Sequence, residues 1–323
     1  ALFALALAHG MATPLRVSAI YGIIIASGVA RSFLMPARVA LGAELVPRDV
    51  YPNAITWRAS TWQVAAVIGP AIGGLLYAIG GAQLAYGPDT VVMLIGMAWI
   101  YSMVHKSPSR TPIAGPVAES IFSGLRFVRK EPMIFGALSL DLFAVFFGGA
   151  TALLPIFAKD ILRVGPTGLG ILRAAPAAGA VLISVVLALR PVTRRSGTMM
   201  LANVVLFGLA TVGFALSRHF WLSVVMLALT GAFDMVSVVI RSTLLQVLTP
   251  EPLMGRVSAV NSVFVGSSNE IGAFESGFAA KLMGTVPSVI FGGVATFAVV
   301  AVIAWRFPQL RKLDRLPVTA STG

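Results

Sequence analysis

The chain has 323 residues, 57% of them hydrophobic and 11% charged, a formal net charge of +12 and no cysteine; its mean hydropathy is +0.90. That is more apolar surface than a soluble core of this length can hide, which excludes an ordinary water-soluble enzyme or binding module and calls for a bilayer. No stretch shows the alternating ten-residue pattern of a membrane barrel, so the fold class is all-α: a polytopic helical bundle whose spans satisfy their own backbone hydrogen bonds.

The opening "ALFALALAHG" offers about ten apolar residues, half of the roughly 20 needed to cross the hydrocarbon as helix. No basic region precedes it, as a signal-peptide core would need, so the chain is expected to begin partway through a helix. Complete spans follow near 17–36, 56–79 and 88–104. Residues 105–132, "HKSPSRTPIAGPVAESIFSGLRFVRKEP", begin with Pro and Ser and become amphipathic: Ile121, Phe122, Leu125 and Val128 share one face, and Glu119, Ser123, Arg126 and Lys130 lie away from it. This predicts a flexible connection leading into a helix on the cytoplasmic membrane surface. Six more spans lie near 133–157, 167–189, 197–216, 220–243, 257–280 and 286–306. The expected organisation is a partial N-terminal lobe over 1–104, a linker over 105–132, a six-helix lobe over 133–306 and a cytoplasmic tail over 307–323.

The net positive charge is a matter of topology rather than of nucleic acid. One set of loops and span ends holds sixteen basic residues, among them Lys106, Arg129, Arg194, Arg241, Arg306 and Lys312, and the opposite set holds five: Arg16, Lys159, Arg163, Arg218 and Lys281. Cytoplasmic loops collect Lys and Arg, so the linker and the C-terminus are expected in the cytoplasm. Trp99, Tyr101, Trp221 and Trp305 fall near span ends, where amphipathic rings favour the interface.

An internal repeat runs through the chain. Arg38 and Pro47 recur as Arg241 and Pro250, and the same offset of 203 carries "IGPAIGG" (68–74) onto "IGAFESG" (271–277). Direct repeats in a membrane protein suggest two similar bundles packed around a midplane site, as in many secondary transporters. Two equivalent halves of six helices imply that the first two helices of the first half, and part of its third, are missing.

Several stretches carry a family resemblance: "PARVALGAELVPRDVYPNAITW" (36–57), "LDLFAVFFGGATALLPIFAKDIL" (140–162), "GLGILRAAPAAGAVL" (168–182) and "MGRVSAVNSVFVGSSNEIGAFESGFAA" (254–280). Together with the repeated basic loop and the central linker, they resemble the major facilitator superfamily, and within it the enterobactin-exporter-like branch of bacterial efflux transporters. The resemblance implies a two-lobed bundle in the bacterial inner membrane, a cavity lined by the first and fourth helices of each half, and export by alternating access. "LRPVTRRSG" (189–197) resembles the second-half counterpart of the family's conserved cytoplasmic loop.

Ala65, Gly69 and Gly73 fall four apart and, with Pro70 and Gly74, leave one helical face nearly bare for a neighbouring backbone, while Pro70 favours a bend. In the resembled family a GP-x-x-GG element marks proton-coupled exporters, so the antiport direction is an implication of resemblance. Charged side chains near the bilayer centre cost roughly 2.5 to 3.5 kcal/mol each and therefore face a wet cavity or a partner. The candidates are Arg31, Asp141, Arg173, Asp234, Glu270 and Glu275. Asp141, Asp234, Glu270 and Glu275 are the proton-coupling candidates, because burial penalises the ionised carboxylate and suits it to exchange a proton. Pairing with an arginine, or capping a polar break, is the structural alternative for Asp141 and Asp234. Asp234 and Arg241 are seven apart on one helical face but about 10 Å along the axis, too far for a direct pair.

The substrate-cavity candidates are Arg31, Asp141 and Asp234, with Arg31 suited to oxygen-rich anions. Glu270 and Glu275 lie about 140° apart around a helix and cannot serve one site; Glu275 shares a face with Ser268, Ile271 and Gly272. A cytoplasmic gate is expected from Arg194 and Arg195 bridging to Glu44, Asp49 or Glu131. The histidines His9, His105 and His219 are scattered, and no phosphate loop, zinc motif or dinucleotide fingerprint is present. Neither enzymatic activity, a cofactor nor a metal is expected. The expected partners are a small organic substrate, siderophore-like or a drug, with protons as coupling ion and lipid around a monomer; an uncoupled permease and a transport-silent scaffold or sensor are the rival readings.

Overall fold

The computed structural model describes Leu15, residues 17–30, Leu34, and residues 51–102, 117–190 and 195–314; of these, 51–56, 58–60, 117–121 and 251 are described by backbone alone. The chain divides into two compact units, Ala1–Pro112 and Ile113–Gly323. No strand occurs among the described residues.

In the first unit, α1 (Val17–Ala30) is a short apolar helix and α2 (Tyr51–Ser102) is a long one. The sequence places a bend at Pro70 and a break over 80–87. The helix instead runs through both Pro70 and Pro88, and leaves helical geometry at Gly80 and Gly81 alone, where Gly81 has φ 64°. A proline removes one donor that a helix can spare, whereas a left-handed residue interrupts the hydrogen-bond ladder and is open at low cost only to glycine.

The second unit holds the remaining helices. Amphipathic α3 (Val117–Lys130) ends at Glu131, whose extended backbone turns the chain into α4 (Pro132–Phe147) with proline at its first position. After Gly148 and Gly149 the same span continues as a 3-10 turn, Ala150–Leu153, a helical turn, Leu154–Ile156, and a π-helical turn, Phe157–Ile161. Next come α5 (Gly165–Leu189), α6 (Ser196–Leu216), α7 (Phe220–Leu248), α8 (Met254–Met283), α9 (Thr285–Arg306) and the single turn α10 (Pro308–Arg311).

A helix stands at each of the six spans expected from hydropathy between 133 and 306, with two informative differences. The first is the break in the α4 span, where a continuous helix was expected. The second is α7, which continues five residues past the expected end at 243, so that Arg241, expected near the end of the span, lies two turns inside the helix. Among the described residues, six helices are long and apolar enough to cross a membrane. The 30-residue α8 matches them in length but carries Arg256, Glu270, Glu275 and Lys281.

Packing in this unit pairs α5 with α7, α7 with α6, α6 with α9, and α4 with both α8 and α9. Two glycines bring α5 and α7 into backbone contact: a Cβ added at Gly179 would strike the Ala228 carbonyl, and one at Gly231 the Pro176 carbonyl. Such small-residue contacts replace the hydrophobic drive that is absent between helices in lipid. The core then divides by depth. One apolar cluster gathers Leu140, Met200, Val204, Ile240, Leu244 and Leu310; another gathers Leu154, Phe157, Leu172, Phe214 and Leu227.

The amphipathic α3 packs on α8 and α4. Val128 is buried with Ile134, Leu138, Val257 and Val260, and Arg256 donates from Nη1 to Ser123 Oγ at 2.9 Å. Of the apolar face expected on the membrane surface, Val128 is therefore turned into the bundle, while Phe122 is exposed. Trp221 and Trp305 are exposed at the ends of α7 and α9, as interfacial rings should be.

Candidate functional site

Polar residues interrupt the buried apolar series of three helices. On α4 the buried apolar series Ala137, Leu140 and Ala144 is interrupted by Asp141; on α6, Thr211 stands between Val204 and Phe214; on α7, Thr230, Asp234 and Arg241 alternate with Leu227, Val236 and Ile240. These polar positions, with Asn269 of α8, line a cavity of about 220 Å³. The cavity thus gathers a polar layer among apolar lining residues, with Asp141 and Arg241 level with the first cluster and Thr211, Thr230 and Asp234 between the two clusters.

Asp141 and Arg241 form a salt bridge across the layer, between Nη1 and Oδ2, with side chains 6% and 5% exposed. Desolvating two charges is costly, and a buried pair persists when attraction and further hydrogen bonds offset that cost. Here the offset is partial, because the Nε–H of Arg241 has no acceptor among the described residues. The guanidinium therefore keeps an unused donor inside the lobe.

Asp234 lies two turns along α7 from Arg241 and lines the same cavity. It has no ion pair or hydrogen bond among the described residues. The threonines around it do not compensate: Thr230 Oγ1 donates to the Leu227 carbonyl at 2.7 Å and Thr211 Oγ1 to the Phe207 carbonyl at 2.9 Å. Asn269 likewise donates to its own helix, at Val265. The layer thus holds a neutral ion pair and one uncompensated carboxyl group.

The remaining candidates disperse. Glu270 is exposed on α8, with Glu275 half-buried. The packing face of α8 runs through Ser268, Gly272 and Ser276, where a Cβ on Gly272 would press on the Phe146 carbonyl; Glu275 flanks that face, while Ile271, expected to share it, is exposed. Arg173 is exposed on α5. In the first unit, Ala65 and Gly69 are exposed and Pro70, Gly73 and Gly74 half-buried; a Cβ on Gly69 or Gly73 would meet nothing within 4 Å. Arg31, Glu44, Asp49 and Arg194 lie outside the described residues.

Of the expected gate, Arg195 and Glu131 can be placed, and they do not pair. Arg195 has a left-handed backbone, φ 54°, and its N–H donates to Asp314 Oδ1 at 3.3 Å. Glu131 is half-buried ahead of α4 and makes no capping bond.

Arg241 is the residue whose role sequence reasoning missed, since it was counted among the basic loops and span ends that set topology. The signal was present: an apolar run, "STLLQVL", follows it and extends the helix past the charge.

Comparison with known proteins agrees with this architecture. The family model described as transmembrane secretion effector matches residues 1–322. The enterobactin exporter EntS of Shigella flexneri is 28% identical over 307 residues, which cover 94% of this chain and 72% of that protein. The enterobactin exporter of Escherichia coli O157:H7 is 29% identical over the same length, covering 94% and 73%. That of Escherichia fergusonii is 28% identical over 305 residues, again covering 94% and 73%.

Proposed function

Because the chain belongs to the transmembrane secretion effectors of the major facilitator superfamily, a family of multi-pass membrane transporters, we propose that it exports a small organic molecule by proton-coupled alternating access. The observation that carries the reading is the uncompensated Asp234 beside the buried Asp141–Arg241 pair in one cavity. An isolated carboxylate within a span is costly, so it takes up a proton or a hydrogen-bond donor whenever one is supplied. A proton and a donor-rich substrate compete for the same oxygens, and occupancy by one excludes the other. That exclusion is the requirement for antiport: the substrate leaves as the proton enters.

The Asp141–Arg241 pair has a second role in this scheme. It keeps the net charge of the layer near zero when Asp234 is protonated and holds α4 against α7. The spare donor of Arg241 offers an oxygen-bearing substrate a second anchor. The relatives are named for enterobactin export, and a siderophore-like compound, rich in oxygen donors and acceptors, suits such a cavity; Arg31 remains a candidate for the same cargo. The chemistry calls for the inner membrane of a bacterium, with the basic ends in the cytoplasm.

The test is export from cells stripped of other exporters, with a panel of siderophore-like compounds and drugs, under an imposed proton gradient. Export that accelerates with an inward gradient supports the reading. Export indifferent to the gradient, or no export of any compound by a chain that reaches the membrane, refutes it.

A further inference from the structure

At the end of the second unit where α4 begins and α9 finishes, a groove of about 630 Å³ opens between the two helices. Its α4 wall is a single stripe, Pro132, Phe135, Ser139 and Phe143, at the three- and four-residue spacing of one helical face. The stripe runs about 16 Å along the axis, from the helix start towards the middle of the span. The α9 wall contributes Ile303, and Phe307 closes the mouth against Phe135, with ring centroids 5.9 Å apart. Phe143 remains 45% exposed at the deep end.

Two arginines stand at the mouth. The Arg306 guanidinium lies 5.7 Å from the Phe307 ring centroid, and Arg129, at the end of α3, faces the groove from the other wall. Neither is paired with a carboxylate among the described residues, where the Asp141–Arg241 pair is the salt bridge present. Both arginines are exposed. Two like charges flanking one opening repel each other and are relieved by an anion held between them, and guanidinium forks suit phosphate oxygens. A soluble anion would use the mouth alone. The apolar stripe below it has the length and direction of an acyl chain entering a bilayer, and basic pockets between membrane helices are suited to lipid phosphate.

We propose that this groove is a binding site for an anionic phospholipid, its phosphate between Arg129 and Arg306 and one acyl chain along Phe135, Ser139 and Phe143. The site is selective by charge, since a zwitterionic headgroup brings an ammonium group against the same two guanidiniums. It is independent of the transport cavity.

Native mass spectrometry on the full chain in detergent tests the site, with phosphatidylglycerol and phosphatidylethanolamine of identical chains offered at equal concentration. Phosphatidylglycerol is expected to be retained preferentially, and inorganic phosphate is expected not to displace it. Arg129→Ala with Arg306→Ala should weaken that retention by roughly tenfold or more, the scale of one or two basic contacts with anionic lipid. Arg218→Ala with Lys281→Ala, which removes the same charge elsewhere, should leave it intact; Arg129→Lys with Arg306→Lys should preserve the preference. Equal retention of the two lipids by the native chain overturns the proposal without recourse to any variant. So does an equal loss in the Arg218/Lys281 control, a lysine pair as weak as the alanine pair, or displacement by inorganic phosphate.

Discussion

Arg241 on α7 is ion-paired with Asp141 on α4, and both side chains are nearly inaccessible. Two helices distant in sequence are thus tied by a charged pair set beside the apolar cluster of Leu140, Ile240 and Leu244. Removing one partner strands the other as a buried charge, a penalty of about 3–5 kcal/mol. Asp141→Asn and Arg241→Met are each expected to lower stability on that scale in a thermal or denaturant melt of the detergent-solubilised protein. The double variant should recover much of the loss, because no lone charge remains. Additive losses would mean that the two side chains do not depend on each other.

Asp234 shares the cavity without sharing the pair. Replacing it by asparagine keeps shape and polarity but removes the exchangeable proton. In membrane vesicles, an imposed gradient that drives protons inward should accelerate export by the native chain and leave the Asp234→Asn chain at its uncoupled background. Insertion and melting should be unchanged, since no ion pair is lost. A variant that still follows the gradient removes Asp234 from the coupling step.

The α5–α7 crossing is set by backbone contact at Gly179 and Gly231. Gly231→Ala forces a methyl group into the Pro176 carbonyl and is expected to cost about 1–3 kcal/mol as an overpacked core does. Gly277→Ala, with open space around it, should be neutral or stabilising, by up to about 1 kcal/mol from helix propensity. The two melts form one comparison: similar behaviour would show that the close crossing is not what holds α5 to α7.

These features differ in how far the amino-acid sequence reveals them. Bilayer thickness imposes a minimum apolar run on every span, so the helices of the second unit were readable to within a few residues. Their breaks were not. "FFGGAT" interrupts α4 at Gly148 and Gly149, where Phe207 and Ser276 pack too close for a side chain, and hydropathy is blind to such close packing. Asp141 and Asp234 stood out as charges in oil, yet their difference in state depends on a partner a hundred positions away. Arg241 escaped notice because a basic residue near the end of an apolar run reads as a topological signal until the helix is seen to continue to Leu248. For Glu270 and Glu275 the helical angle between them gave separate environments, and only packing identifies Glu275 as the one flanking the buried face.

The start of α6 is held from the other end of the unit. The N–H groups of Arg195, Ser196 and Gly197 donate respectively to the Asp314 side chain, the Asp314 carbonyl and the Leu313 carbonyl, so three donors that a helix leaves unsatisfied are met by the segment after α10. What anchors that segment is Leu310, fully buried in the cluster with Met200, Ile240 and Leu244. Leu310→Ala should therefore cost about 2–5 kcal/mol, whereas Asp314→Ala, which removes one exposed cap, should cost about 0.5–2 kcal/mol. Amide hydrogen exchange at 196–198 discriminates the causes: it should rise strongly with Leu310→Ala and slightly with Asp314→Ala. The reverse order would place the anchor in the carboxylate, and the buried leucine would then be a bystander to the capping of α6.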